Sequence, residues 1–341
     1  EALDHLYRGQ SNDCYWHGLF GGVYLVHLRL ATLAELIAAE DLALGPAVAH
    51  GTADYDLDGV DEVLIGSAGQ TVLVDPAEGG GLSSWDLRAT RLALASVLRR
   101  RPEAYHEQLR AAEAARAKGE QVQGRTATSI HDVLLTKEEG LSRLLVYDRD
   151  ERRSGLVRLF VDRDELGDWP RGAWQVVRSG DSELALTRSA AELAMVKTIT
   201  LAGTRARPTL ALSLEVTAGA QPVDALLALE WNLNLLGGGS NPQAYYRWAD
   251  QELRHDTSGR LAPGEPALSF GNSWVGVNVS STAEPAAERA WYPVETVSNS
   301  EAGFERVYQG SCLTFRWPLR LAPGQQASYS VSFSVEPLPR D

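Results

Sequence analysis

Ala327-Ser328-Tyr329-Ser330-Val331-Ser332-Phe333-Ser334-Val335 sets an apolar side chain at every second position with a serine between each pair. Successive side chains of a strand point to opposite faces, so this period of two gives one apolar and one hydroxyl-bearing face. Three earlier stretches repeat it. Leu210, Leu212, Leu214 and Val216 alternate with Ala211, Ser213 and Glu215, and Leu229, Trp231, Leu233 and Leu235 alternate with Glu230, Asn232 and Asn234. Val275, Val277 and Val279 alternate with Gly276, Asn278 and Ser280. Gly219, the Gly237-Gly238-Gly239 run, Gly264, Gly271 and Pro323-Gly324 punctuate the series. Strands apolar on one face and polar on the other belong to antiparallel sheets whose outer face meets water. A parallel sheet would need regular crossover helices, and helical periodicity is scarce after residue 145. The expected fold class is therefore mainly β, a large antiparallel β-sandwich over roughly 49–341.

Toward the N-terminus the period changes. Shorter strand candidates lie at 63–66, 71–75, 82–87, 144–147 and 155–161, with helical insertions expected near 93–115 and 129–141. Before residue 49, Leu25, Leu28, Leu33, Leu36 and Ile37 recur at helical spacing, with Arg29, Glu35 and Glu40 off that stripe, until Gly45-Pro46 stops it. Residues 1–8 read as a short helix and 9–13 as a break. Residues 1–48 are thus expected to form a short helical segment, the end of a bundle whose stripe needs partners from elsewhere.

With 32 basic against 45 acidic residues, the net charge of −13 repels nucleic acid and anionic membranes but leaves neutral polyhydroxylated ligands open. Nine Trp and eleven Tyr against six Phe favour rings that present one apolar face and one polar edge, as sandwich cores and saccharide clefts do. Cys14 and Cys312 are the only cysteines, so no disulfide scaffold is required, and a cytoplasmic location is expected. No export signal and no run of 18 apolar residues is visible. The first residue is Glu1, inside a helical pattern, which suggests a piece of a longer protein.

Chemistry concentrates in a few places. In Tyr15-Trp16-His17-Gly18-Leu19-Phe20-Gly21-Gly22, Trp16 offers a face for a sugar ring and His17 a donor or acceptor; alternatively both plug the base of a helix. Asp54, Asp56, Asp58 and Gly59 form D-x-D-x-D-G, which with Glu62 offers hard oxygens to Ca²⁺, or else a solvated turn held by Asx hydrogen bonds. No other cofactor is called for. Asp13, Asp132, Glu230 and Glu295 are carboxylates of the kind that pair in glycosidic chemistry. His131 with Glu230 or Glu295 would form the acid–base pair of a mutarotase-like sugar epimerase. The stretch 291–304, with Trp291, Tyr292 and Glu295, reads as a long loop that either faces a sugar or is anchored to the sandwich.

Several of these strings carry a resemblance. Gln10-Ser11-Asn12-Asp13-Cys14-Tyr15-Trp16-His17-Gly18-Leu19-Phe20-Gly21-Gly22, Asp54-Tyr55-Asp56-Leu57-Asp58-Gly59 through Glu62, Ser129-Ile130-His131-Asp132, and Pro293-Val294-Glu295-Thr296-Val297-Ser298-Asn299-Ser300-Glu301 resemble the C-terminal half of family 57 glycoside hydrolases, the 4-α-glucanotransferase and α-amylase branch. The resemblance implies a galactose-mutarotase-like sandwich behind a helical bundle, with the catalytic barrel, its nucleophilic Glu and its acid/base Asp outside residues 1–341. It further implies that Trp16 and His17, with Asp13, border a bound α-glucan or maltooligosaccharide, and that turnover in the parent is a retaining double displacement. A stand-alone carbohydrate-binding or structural sandwich is the competing expectation.

Overall fold

The serine-punctuated stretch lies near the middle of a nine-stranded sheet in a computed structural model that describes residues 1–18, 21–118, 136–238, 241–300 and 303–339. The chain begins with helices α1 (Ala2–Gly9) and α2 (Val26–Leu44), joined by two 3-10 turns. Strands β1 (Gly51–Ala53), β2 (Glu62–Ser67), β3 (Gln70–Asp75), β4 (Gly81–Leu87) and β5 (Leu92–Ala93) then form a small antiparallel sheet in chain order. Helix α3 (Tyr105–Ala117) follows.

Fifteen further strands are β6 (Leu156–Val161), β7 (Asp164–Glu165), β8 (Gln175–Ser179), β9 (Glu183–Ala190), β10 (Leu193–Gly203), β11 (Pro208–Ala218), β12 (Val223–Leu233), β13 (Ala244–Trp248), β14 (Gln251–Arg254), β15 (Gly259–Leu261), β16 (Leu268–Asn272), β17 (Val277–Glu284), β18 (Glu288–Ser300), β19 (Gly303–Leu321) and β20 (Gln326–Pro337). They make two larger sheets. One runs β14-β13-β16-β17-β20-β11-β10-β9-β8 and the other β15-β18-β19-β12-β6-β7.

The inner faces are those the alternation marks. Tyr329, Val331, Phe333 and Val335 of β20 and Leu210, Leu212, Leu214 and Val216 of β11 are buried, facing Leu227, Leu229, Trp231, Leu313 and Phe315 of the second sheet. Trp85 of the small sheet enters this core, with ring centroids 6.3 Å from Trp231 and 5.7 Å from Phe333. Its indole N–H donates to buried Gln70 at 2.7 Å, and Gln70 donates to the Thr209 carbonyl at 2.7 Å. The small sheet is thereby pinned to the nine-stranded one.

Several sequence expectations need correction. The helix expected near 93–115 starts only at Tyr105: Ala93 is still strand, and the segment around Pro102 is irregular because proline has no amide to donate. Of the insertion near 129–141, residues 129–135 lie outside the described residues. Thr136 bridges to Phe304, and Leu141–Leu144 is a single 3-10 turn. Residues 145–147, expected as strand, are irregular. Of the expected stripe of α2, Ile37 is buried and Leu33 packs on the core, but Leu28 is exposed, and Arg29, expected off the stripe, is buried with Val26 and Leu30. Of the expected loop 291–304, residues 291–300 are in strand β18 and 303–304 in β19. Finally, Glu230 and Asn232 on the polar face of β12 are buried, because a cluster of arginines covers that face.

Candidate functional site

The loop after α1 is held by its backbone. The Val23 amide donates to the Trp16 carbonyl at 2.9 Å, and at Gly22 (φ +51°) a Cβ would come within 2.1 Å of that same oxygen. Only glycine fits there. At Gly9 a Cβ would lie 2.3 Å from the tip of the Leu36 side chain, so α1 and α2 approach closely. On this frame Trp16 is 57 % exposed and Tyr15 is exposed beside it, with its hydroxyl donating to the Gly9 carbonyl. His17 is placed differently. Its Nε2 lies 3.1 Å from the Asn299 carbonyl, which makes that nitrogen the donor, and its ring packs against Tyr24 and Tyr105 at 5.3 and 5.0 Å. Asp13 is exposed on the adjacent 3-10 turn. Trp16 thus presents its face outward, while His17 ties the loop to the sandwich.

Two residues that sequence reading missed fix this frame. In the β18–β19 pairing Val294 opposes Gly310 and Glu295 opposes Tyr308, so Gln309 is an extra, bulged residue. A bulge re-aims its side chain. Buried Gln309 accepts from Arg29 Nη2 at 3.0 Å and donates to the Tyr24 carbonyl and the Thr296 hydroxyl, both at 3.0 Å. Arg29 also donates to the carbonyls of Val23 at 2.6 Å and Ser96 at 3.1 Å. Burial pulls its guanidinium down to about 10. The available signal was Gly310, since a glycine inside a strand pattern marks a bulge or a close approach; a Cβ there would lie 2.3 Å from Val97.

The remaining candidates divide sharply. Trp291 is buried, its ring 5.4 Å from both Tyr246 and Trp248, so the sugar-facing reading of this residue is overturned and it anchors β18 within the sandwich. Glu230 receives Arg158 Nε at 2.6 Å, Asn232 Nδ2 at 2.9 Å and Arg152 Nη1 at 3.4 Å. Burial pushes its carboxyl up, but Arg158 and Arg152 outweigh that and hold it below the usual range. It is a fixed anion, poorly suited to shuttling a proton. Glu295 is half-buried, 3.4 Å from Arg306 Nη1, and burial raises its carboxyl. It lines a groove of about 570 Å³. His131 and Asp132 lie outside the described residues.

The acidic loop brings its carboxylates together in two sets. Asp54, Asp56 and Asp58 oxygens lie within 4.8 Å of one another, as do those of Asp56, Glu62 and Asp75. The first set also caps its own turn: Asp54 accepts from the amides of Asp58 at 3.1 Å and Gly59 at 3.0 Å. The second is mostly sealed. Glu62 is 2 % exposed, its Oε2 accepts from the Tyr55 amide at 2.7 Å, and its Oε1 has no partner. Burial first, then Asp56 and Asp75, raise the Glu62 carboxyl. Arg153 supplies one cation, 2.8 Å from Asp75. An orphaned buried carboxylate oxygen beside two further carboxylates is a donor set that fits a hard divalent cation.

Cys14 and Cys312 are both buried and free, and among the described residues no helix is long and apolar enough to cross a membrane. Comparison with known proteins places these features in a wider setting. Residues 54–331 match the family described as alpha-amylase/4-alpha-glucanotransferase, C-terminal, and residues 1–43 match the middle domain of the same group. The chain is 30% identical over 358 residues to alpha-amylase 1 of Dictyoglomus thermophilum, covering 98% of this chain and 49% of that protein. It is 27% identical over 334 residues to a 4-alpha-glucanotransferase of Thermococcus kodakarensis, covering 94% and 46%. The crystal structure of 4-alpha-glucanotransferase from Thermococcus litoralis superposes with a TM-score of 0.71 at 22% identity, covering 97% of this chain and 46% of that one. The chain spans about half the length of the curated relatives it matches.

Proposed function

Because the chain belongs to the α-amylase/4-α-glucanotransferase branch of glycoside hydrolase family 57, we propose that residues 1–341 form the non-catalytic flank of an α-1,4-glucan-processing site. The observation that carries this reading is Trp16, a large ring left 57 % exposed on a loop whose backbone is held at its own carbonyl. An exposed aromatic face gives a pyranose ring an apolar platform, and a loop backbone already ordered has less entropy to lose when the sugar docks. Tyr15 and Asp13 stand beside it to meet hydroxyls, and His17 holds the loop. The carboxylates that would form and resolve a glycosyl-enzyme belong, on this reading, to a barrel outside residues 1–341. The apolar face of α1 supports such a partner. Leu3, Leu6 and Tyr7, spaced i, i+3 and i+4, are all exposed. The sequence reading puts the uncovered surface on the Leu25/Leu28/Leu33/Leu36 stripe or around Trp16; Leu28 and Trp16 are exposed, and α1 adds a face that reading does not name.

Titration of the chain with maltoheptaose, followed by tryptophan fluorescence, tests the reading. Saturable binding with one phase that Trp16→Ala removes is expected, with no glycosyl transfer or hydrolysis by the pure chain. Turnover by the pure chain, or binding indifferent to Trp16→Ala, overturns it.

The unpartnered Glu62 oxygen supports a second part of the proposal, that Asp56, Glu62 and Asp75, with Asp54 and Asp58 at the rim, hold a Ca²⁺ ion. The ion would neutralise three crowded carboxylates and stiffen the loop before β2. Added Ca²⁺ should raise the melting temperature of the wild type and leave Glu62→Gln unmoved; an identical response in both contradicts it. The two free thiols suit a reducing compartment, and we assign the protein to the cytoplasm.

A further inference from the structure

Trp274 is the most exposed tryptophan of the chain at 66 %, and it belongs to none of the features above. It sits in the β16–β17 turn, where a sequence reading placed the start of a strand. The turn is built around Asn272, which is fully buried. Asn272 Oδ1 accepts from the amides of Trp274 at 2.9 Å and Val275 at 3.2 Å, its carbonyl accepts from the Gly276 amide at 2.9 Å, and its Nδ2 donates to the Leu235 carbonyl at 2.8 Å. One buried amide thus fixes both the turn carrying Trp274 and the end of the segment that runs into Gly237 and Gly238. A fixed turn that holds an indole in water offers a preformed apolar face to whatever docks beside it.

What lies beside the ring identifies that ligand. Trp274 borders the groove of about 570 Å³, a volume within the range of small-ligand sites, roughly 300–1,000 Å³. Gly237 and Gly238 line it with bare backbone; a Cβ on Gly237 would come within 2.3 Å of the His255 ring. Its charged lining is Glu138, Asp256, Glu295 and Glu305 against Arg306, with His27 from α2. Arg306 is shared between Glu138 and Glu295, each at 3.4 Å. Glu305 also pairs with Lys137, and Asp256 lies 3.5 Å from Arg254, so four carboxylates meet three cations and the remaining negative charge disfavours phosphorylated or otherwise anionic ligands. The same acceptors suit a ligand rich in hydroxyl donors, and the indole suits one with an apolar ring face.

We propose that this groove, edged by Trp274 and lined by Glu295 and Asp256, is a second binding site for a neutral oligosaccharide, separate from the Trp16 edge. The choice of an α-glucan as probe rests on the function proposed above; the site itself rests on Trp274 and the groove. The groove also contains Leu25, Val26 and His27, only a few residues beyond the Trp16 loop, so both sites adjoin the base of α2.

Calorimetric titration of maltoheptaose into the wild type, Trp16→Ala, Trp274→Ala and the double variant tests the proposal. Trp274→Ala should weaken one phase of binding by about tenfold, the size of one aromatic contact. Trp16→Ala should retain a phase that disappears in the double variant, and Trp274→Phe should keep most of it. If Trp274→Ala binds as the wild type does, or Trp16→Ala alone abolishes all binding, the second site is refuted while the Trp16 reading stands. If Trp16→Ala leaves binding intact and Trp274→Ala abolishes it, the second site stands and the Trp16 reading fails.

Discussion

The interior of the sandwich and its N-terminal edge treat their side chains in opposite ways. On the polar face of β12 the fold buries charges, and covers each of them. Glu230 lies under Arg158 and Arg152, while Asp148 pairs with Arg100 and Arg152. Burial pushes the Asp148 carboxyl up, but hydrogen bonds from those arginines hold it at about 2. At the edge the fold leaves apolar groups uncovered: Leu3, Leu6 and Tyr7 on α1, then Tyr15 and Trp16. Burying a charge without partners is far costlier than exposing an apolar ring. By pairing the buried charges on β12 while leaving apolar groups uncovered at this edge, the fold marks where its surface is set aside for a ligand or a partner.

That contrast can be broken first in the interior. Glu230→Ala leaves Arg158 and Arg152 buried with one fewer carboxylate each, and should destabilise the chain by about 3 kcal/mol, read from the shift in urea midpoint. A loss under about 1 kcal/mol would mean that water reaches this face and that the charges are not sealed.

Acid should produce the next largest effect. His255 is buried, its Nε2 2.8 Å from the Tyr245 carbonyl, and burial pulls its pKa from 6.5 to about 4. Between those values the unfolded chain binds a proton that the folded chain does not. Its contribution is therefore intact above pH 6.5 and is lost as pH falls toward 4, by at most about 3 kcal/mol. His255→Gln should flatten that part of the stability–pH curve, and an unchanged slope would remove His255 as its cause. At the edge, by contrast, Leu6→Ser should alter stability by no more than about 0.5 kcal/mol while improving solubility. A larger loss would show that α1 already has its partner within the chain.

The sequence made the sandwich legible because period two survives wherever one face meets a core and the other does not. It failed at β12, where both faces are buried and Glu230 and Asn232 read as solvated. It failed again at 291–304, where Pro293 and neighbouring polar residues suggested a loop although the backbone continues as β18. Trp16 was singled out with two readings open, and exposure separates it from His17. Gln309, Arg29 and Trp274 were not singled out. Their roles depend on a bulge, a long-range contact and a turn pinned from below by Asn272, none of which leaves a local periodicity.

The central claim, that the uncovered Trp16 edge is a sugar face, can be tested on the ring itself. Of the nine tryptophans, Trp16 and Trp274 are exposed and Trp248 is half-buried, while Trp85, Trp169, Trp174, Trp231, Trp291 and Trp317 are buried. Mild indole oxidation followed by peptide mass spectrometry should therefore mark Trp16 and Trp274 first. Saturating maltoheptaose should protect Trp16 from that oxidation; Trp16 oxidised at the same rate with and without the sugar would contradict the account.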